Sequence, residues 1–258
     1  MEKAKKPLIK KVREFLRKKE FRDAEGLLVA EGTKIVTDAL KKNRGVVSVF
    51  VSGKVVGAPF VKEINALCVS GGIDIWRVPA GEFEKLSSLK SSQGVLALAR
   101  KPFWPTSDNT TFSVLCDGVQ DPGNLGAMIR TSAAFGVSSV LLFGATVDVY
   151  NPKVVRASSG AVFDIPVRTV TLEQLDALKS AGRYFLSSDP GISGAESMYD
   201  VCLPEGPVIL AFGNEGRGMS PEIRKRADRV FYIPIEPDTE SLNVTAAAAV
   251  AIHHFKKR

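Results

Sequence analysis

The stretch Leu210–Thr245, LAFGNEGRGMSPEIRKRADRVFYIPIEPDTESLNVT, constrains the fold most, because it sets two polar loops at the ends of two short apolar runs. Val208–Phe212 suits a buried strand and empties into Gly213–Gly218, where three glycines permit close backbone approach. Ser220, Pro221 and Glu222 then supply the N-cap hydroxyl, first-position proline and first-turn carboxylate of a helix. Val230–Ile233 is a second strand, closed by Pro234, and a polar loop through Glu240, Ser241, Leu242 and Asn243 enters an alanine-rich helix, Val244–Phe255. The glycines are spaced GxxGxG, which does not match the dinucleotide fingerprint GxGxxG, and no GxxxxGK[ST] phosphate loop occurs. On glycines alone a tight turn and a cofactor loop stand level. Asn214 and Glu215 beside them, with Ser241 and Asn243 in the second loop, favour the cofactor loop.

Composition narrows the class. The 258 residues contain no unbroken apolar stretch near 18 residues and no secretory leader, so the expectation is a cytoplasmic protein without a membrane span. Cys68, Cys116 and Cys202 each sit in an apolar run and read as reduced core thiols. The two histidines, His253 and His254, are adjacent on one helix and cannot both face one ion, so no metal site is expected. The net charge of +7 is concentrated: residues 1–22 hold ten Lys/Arg against three acids, and the remainder is balanced. Leu8, Ile9, Val12, Phe15 and Leu16 mark one face of a helix there, which suits a folded amphipathic segment better than a transit peptide. Its other face, with Lys10, Lys11, Arg17, Lys18 and Lys19, points to a nucleic acid as partner, against the blander reading of a solvated surface.

Along the chain, strand candidates Gly26–Ala30, Val46–Val51, Ile73–Val78 and Val95–Ala99 alternate with helical stretches, giving a small α/β domain. Lys101–Pro105 and the polar Thr106–Thr110 break the pattern and set the domain boundary, 1–105 against 106–258. The second domain should fold from near Thr106 on its own. It reads strand, loop, helix, strand from Phe112 onward, with helix Pro152–Gly160 and about six parallel strands between helices.

A third block, Asp117-Gly-Val-Gln-Asp-Pro-Gly-Asn124-Leu-Gly126-Ala-Met-Ile-Arg130, precedes the two C-terminal loops. In this order the three blocks resemble the motifs of the SpoU (TrmH-like) RNA 2′-O-ribose methyltransferases of the SPOUT superfamily. The likeness covers Thr111 to the C-terminus well, and more loosely a small N-terminal RNA-binding domain. It implies a parallel-sheet methyltransferase domain with a C-terminal trefoil knot, a homodimer, and S-adenosylmethionine as cofactor. By resemblance Phe212, Gly213, Gly216, Ile233 and Leu242 line the cofactor, Asn124, Arg130, Glu215, Ser241 and Asn243 form the catalytic set, and Arg156 reaches RNA phosphate. Arginine is protonated at neutral pH, so Arg130 suits charge stabilisation of a forming alkoxide better than general base catalysis, with a phosphate clamp as its rival role. Ser241 and Asn243 could equally cap the last helix. Departures are Ser91-Ser92-Gln93-Gly94, where the family more often has Thr-Pro-Gln-Gly, and Glu236-Pro237-Asp238, where it is richer in glycine. The implied reaction is methyl transfer to a ribose 2′-hydroxyl. Ribosomal RNA is favoured over tRNA because of the added N-terminal domain, and a silent RNA-binding protein of the same fold is the rival from another class.

Overall fold

A computed structural model describes residues 1–87, 89, 91–105, 110–189 and 192–256; the polar segment 106–109 at the expected domain boundary lies outside them. In chain order the first elements are β1 (Glu2–Lys3), α1 (Lys6–Arg17), α2 (Lys19–Glu25), β2 (Leu27–Glu31), α3 (Thr33–Lys41) and β3 (Val46–Ser52). There follow α4 (Pro59–Gly71), β4 (Asp74–Val78), α5 (Ala80–Leu86), β5 (Val95–Arg100), β6 (Phe112–Asp117), α6 (Pro122–Ala134) and β7 (Ser139–Phe143). The remainder is α7 (Pro152–Ala157), β8 (Val167–Thr169), α8 (Leu172–Ser180), β9 (Tyr184–Ser188), β10 (Glu196–Ser197), β11 (Val208–Phe212), α9 (Pro221–Arg224), β12 (Arg229–Tyr232) and α10 (Val244–Lys256).

The chain packs as two units, Met1–Phe103 with Asp148–Phe163, and Trp104–Val147 with Asp164–Arg258. The first holds a mixed five-stranded sheet ordered β1-β4-β3-β5-β2, with β3 parallel to β4 and β5 antiparallel to both β2 and β3. Ile9, Val12 and Phe15 recur every third residue on α1 and are buried against Val29, Phe50 and Leu96, which fixes that helix by its apolar stripe. The basic segment is two helices, not one: Lys18 is extended (φ −114, ψ 119), α2 restarts, and Phe21 turns edge-on to Phe15 at 4.8 Å. Gly26 ends α2 in the left-handed region (φ 63), accepting a conformation that a side chain would resist. Asp148–Phe163, read from sequence as part of the second domain, belongs to this unit. Asp148 receives a 2.6 Å ion pair from the buried Arg22, and Val154, Val155, Val162 and Phe163 are buried.

The second unit is built on a seven-stranded, wholly parallel sheet ordered β10-β12-β9-β11-β6-β7-β8. Sequence reading gives six of these strands; the two-residue β10 has no pattern to reveal it. Phe112–Asp117 and Val208–Phe212 are buried throughout, as strands covered on both faces must be. From β6 the chain steps outward to β7 and β8, then jumps to β9 on the other side, and β11 later fills the gap between β6 and β9. That reversal creates a switch point, and ligands of open parallel sheets bind outside the carboxyl ends of strands at such points. α10 packs on α6 in the same direction: Asn243 and Asn124 meet at their starts, and His253 and Phe135 meet edge-on at their ends, 5.4 Å apart.

Cys68 and Cys116 are buried as expected, whereas Cys202 is exposed because it alternates with the inward-facing Val201 in an irregular segment. Burial pushes the Cys68 thiol up to about 11 and, with some help from Glu215, the Cys116 thiol up to about 12. Iodoacetamide at mildly alkaline pH should therefore alkylate one thiol per native chain, at Cys202, and peptide mapping that finds Cys116 modified at a comparable rate would contradict this burial.

Candidate active site

The site lies at the carboxyl ends of β9, β11 and β12, where a cleft of about 760 Å³ is lined by the residues that follow those strands and by the loop entering α10. Phe212, Gly213, Glu215, Ile233, Ser241, Leu242 and Asn243, all singled out in the sequence, face it together.

The glycine loop closes on itself. Asn214 and Gly218 exchange backbone hydrogen bonds of 2.9 Å in both directions, and Asn214 Oδ1 accepts from the Gly216 and Arg217 amides, each at 2.9 Å. Asn214 Nδ2 then donates 2.8 Å to the Gly118 carbonyl, which ties this loop to the one after β6. A Cβ on Gly213 would stand 2.4 Å from the Gly218 carbonyl carbon and the Met219 nitrogen, so only glycine lets the loop fold back. Gly216, expected to make the close approach, is placed differently: its Cβ would meet nothing nearer than Asn214 Oδ1 at 3.8 Å, and it does not line the cleft. The demanding glycine is thus Gly213, and its crowding comes from the loop's own backbone.

Three motif loops meet through side-chain amides. Asn124 Nδ2 donates to Glu215 Oε1 at 2.8 Å, and Asn243 Nδ2 donates to Asn124 Oδ1 at 3.4 Å. Asn243 also caps α10, its Oδ1 accepting from the Thr245 amide at 2.9 Å and from the Thr245 hydroxyl at 2.6 Å. Asn243 thus both caps the helix and lines the cleft, while Ser241 lines the cleft without a hydrogen-bond partner among the described residues. Asp121 caps α6 by accepting from the Asn124 amide at 2.8 Å, which sets Asn124 in the first turn.

Arg130 is not in the cleft of its own chain. It is exposed on α6, roughly 9 Å along the axis from Asn124 by helical rise, with no ion pair or hydrogen bond among the described residues. Arg156 lies in the first unit, 3.7 Å from the buried Glu31 carboxylate, so its charge serves that acid. Lys10, Lys11, Arg17, Lys18 and Lys19 are all exposed. Lys11 pairs with Glu25, Lys18 with Glu14 and Lys19 with Asp23, leaving Lys10 and Arg17 without ion pairs among the described residues.

Sequence reasoning missed Asp117 and Asp189. Asp117 is buried and accepts from the Ser220 amide at 2.7 Å, pinning the start of α9 to the end of β6. Asp189 is buried in the cleft wall, gripped by Arg224 through Nε at 2.9 Å and Nη2 at 2.8 Å. An acid at or just past the carboxyl end of a parallel strand was the available signal in both cases.

The family model described as SpoU rRNA Methylase family matches residues 111–253, and that of an MRM3-like substrate binding domain matches residues 6–97. The 23S rRNA (guanosine(2553)-2′-O)-methyltransferase RlmP of Bacillus subtilis is 29% identical, over 99% of this chain and 98% of its own length. A mitochondrial rRNA methyltransferase 3 of Xenopus laevis is 33% identical over 97% of this chain and 74% of its own length. Among solved structures, an AdoMet-bound rRNA methyltransferase from Sinorhizobium meliloti superposes with a TM-score of 0.84 at 27% identity, covering 100% of this chain and 97% of that one. With its cleft at the switch point of a parallel sheet and the family match spanning more than half its length, the chain belongs to the SpoU rRNA methylase family.

Proposed function

We propose that this protein transfers a methyl group from S-adenosylmethionine to a ribose 2′-hydroxyl of structured RNA, with ribosomal RNA as substrate. The Asn243–Asn124–Glu215 chain carries the reading, because it joins loops of three separate motifs at one cleft. The cleft suits the cofactor: its volume falls within the range of small-molecule sites, Phe212, Tyr232, Ile233 and Leu242 offer apolar walls, and no basic side chain lines it among the described residues. When bound, S-adenosylmethionine supplies a methyl group activated on a positively charged sulfur.

The protein's own residues orient and stabilise. Asn124 and Asn214 hold the Glu215 carboxylate, and Asn243 fixes the entry to α10, so the loops around the donor are preorganised. Arg130 stabilises the alkoxide that forms as the hydroxyl loses its proton. Because it stands outside the cleft of its own chain, we assign it to the cleft of a second copy. Gly123 and Ala134 on α6, Phe135 just beyond it, and Ala246 and Val250 on α10 are exposed, a small apolar face suited to a homodimer. The trefoil knot belongs to the same reading, with the segment leading into α10 threading a loop, as does work in the cytoplasm. Among the described residues no helix is long and apolar enough to cross a membrane.

Mapping ribose methylation in cells with and without the gene tests the function. One ribosomal 2′-O-methyl should vanish; loss confined to tRNA would refute the substrate, and no loss, together with no methyl transfer to RNA from labelled donor in vitro, would refute the reaction. Gly213→Ala is expected to weaken cofactor binding by about tenfold or more, since prising the loop open costs on the order of 1–3 kcal/mol, while Gly216→Ala should bind nearly as wild type. Calorimetry that ranks the two the other way would refute the loop argument.

RNA affinity should depend steeply on salt. Lys10→Gln with Arg17→Gln should lower the slope of log affinity against log salt by about two units, one for each lost phosphate contact. Per residue, Lys11, Lys18 and Lys19 should matter less, because each already faces an acid. An unchanged slope in the double variant would make α1 a solvated face.

A further inference from the structure

The cleft is an island of negative charge in a protein of net charge +7. Among its described lining residues are Asp189, Glu215, Glu236 and Glu240, and no Lys, Arg or His. Asp189 is matched by Arg224. Among the described residues, Glu215 is held only by the neutral amides of Asn124 and Asn214. Glu236 and Glu240 are exposed at the rim and have no ion pair among the described residues, and Asp238 adds a further acid to the same loop.

We propose that Glu236 and Glu240 make the cleft charge-selective, retaining the cationic methyl donor and releasing its neutral product. The inference rests on reading the cleft as the methyl-donor site. The donor carries a sulfonium, an ammonium and a carboxylate, for a net charge of +1. During transfer the methyl–sulfur bond breaks with its electron pair left on sulfur, the methyl carbon bonds to the ribose oxygen, and the hydroxyl proton departs to a base. S-adenosylhomocysteine then differs from the donor by one methyl and one positive charge. Carboxylates around the cleft act on that difference, and no basic lining residue offsets them. Their field is long-ranged enough to matter from the rim and weak enough to be screened by salt. A pocket filled with product would otherwise compete with each new donor molecule, so the charge difference also drives exchange after turnover.

Titration calorimetry on the full-length protein tests this with S-adenosylmethionine, S-adenosylhomocysteine and sinefungin, an analogue bearing an amine where the donor has its sulfonium. At low salt the donor and sinefungin should bind about tenfold more tightly than S-adenosylhomocysteine. In the Glu236→Gln/Glu240→Gln variant that ratio should fall to about threefold or less, with S-adenosylhomocysteine affinity unchanged as the check on folding. Raising ionic strength should narrow the wild-type ratio in the same direction. Equal affinities in the wild type, or a ratio unmoved in the variant, would overturn the proposal and leave the methyltransferase reading intact. Failure of all three ligands to bind the wild type would overturn that reading itself. Should the variant lose every ligand, the wild-type salt series decides, and a ratio insensitive to salt counts against the proposal.

Discussion

Arg130→Ala is expected to cut single-turnover methylation by on the order of a hundredfold, the scale for losing one preorganised electrostatic donor, while leaving stability and cofactor affinity nearly unchanged. The exposed side chain has no hydrogen bond or ion pair among the described residues, so truncation removes little from the fold. It also lies outside the cleft, so the donor should not register its loss. Lysine should rescue poorly, because a point charge lacks the planar fork of a guanidinium. Mixed dimers separate the possible geometries. Combining an Arg130→Ala chain with a Gly213→Ala chain leaves one intact cleft facing one intact arginine only if Arg130 acts across the dimer, and at donor concentrations too low to fill the Gly213→Ala cleft such mixtures should be more active than either parent. If mixtures are no more active than the parents, the arginine acts within its own chain. If RNA binding weakens in proportion to the rate, and saturating RNA restores turnover, Arg130 is a phosphate clamp and the charge-stabilising role is wrong.

Much of the site could be read from the chain because parallel-sheet chemistry is local in sequence. Val208–Phe212 is an unbroken apolar run, the loop after it must carry any ligand contacts, and the caps Ser220 and Asn243 announce the helices that follow. Gly213 and Gly216 show the limit of such reading. Both are glycines of one loop, and only the three-dimensional return of Gly218 onto Gly213 reveals which of them tolerates no side chain. Asp189 was hidden for a similar reason, since its partner Arg224 lies 35 positions away. The break at Lys18 left no proline or glycine to mark it, because the stop comes from Phe21 turning back to pack on Phe15. Charge is legible as a total but not as a map: Lys11, Lys18 and Lys19 count towards the basic segment, yet each spends its charge on a neighbouring acid.

A fragment beginning at Trp104 is expected to be insoluble or molten, contrary to the independence that the Pro-rich boundary suggests. The chain leaves the second unit after Val147 and returns at Asp164, and the intervening segment is part of the first unit's core. There Val154, Val155, Val162 and Phe163 are buried, and Gly160 lies so close to Ile35 that its Cβ would stand 3.3 Å from that side chain. Removing residues 1–103 exposes this surface and strands Asp148, whose partner Arg22 is 4% exposed and also donates 2.8 Å to the Phe15 carbonyl. The same logic can be tested without truncation. Arg22→Ala should cost about 3–5 kcal/mol, because it leaves a carboxylate in a largely buried site without its counter-charge, whereas Arg22→Met with Asp148→Leu should recover most of that loss. Thermal unfolding of the full chain should accordingly be one transition, with the Arg22→Ala variant shifted down as a whole. A soluble fragment from Trp104 with cooperative unfolding, or an Arg22→Ala protein as stable as wild type, would mean that Asp148–Phe163 needs nothing from the first unit, and that the boundary near residue 105 divides two independent domains after all.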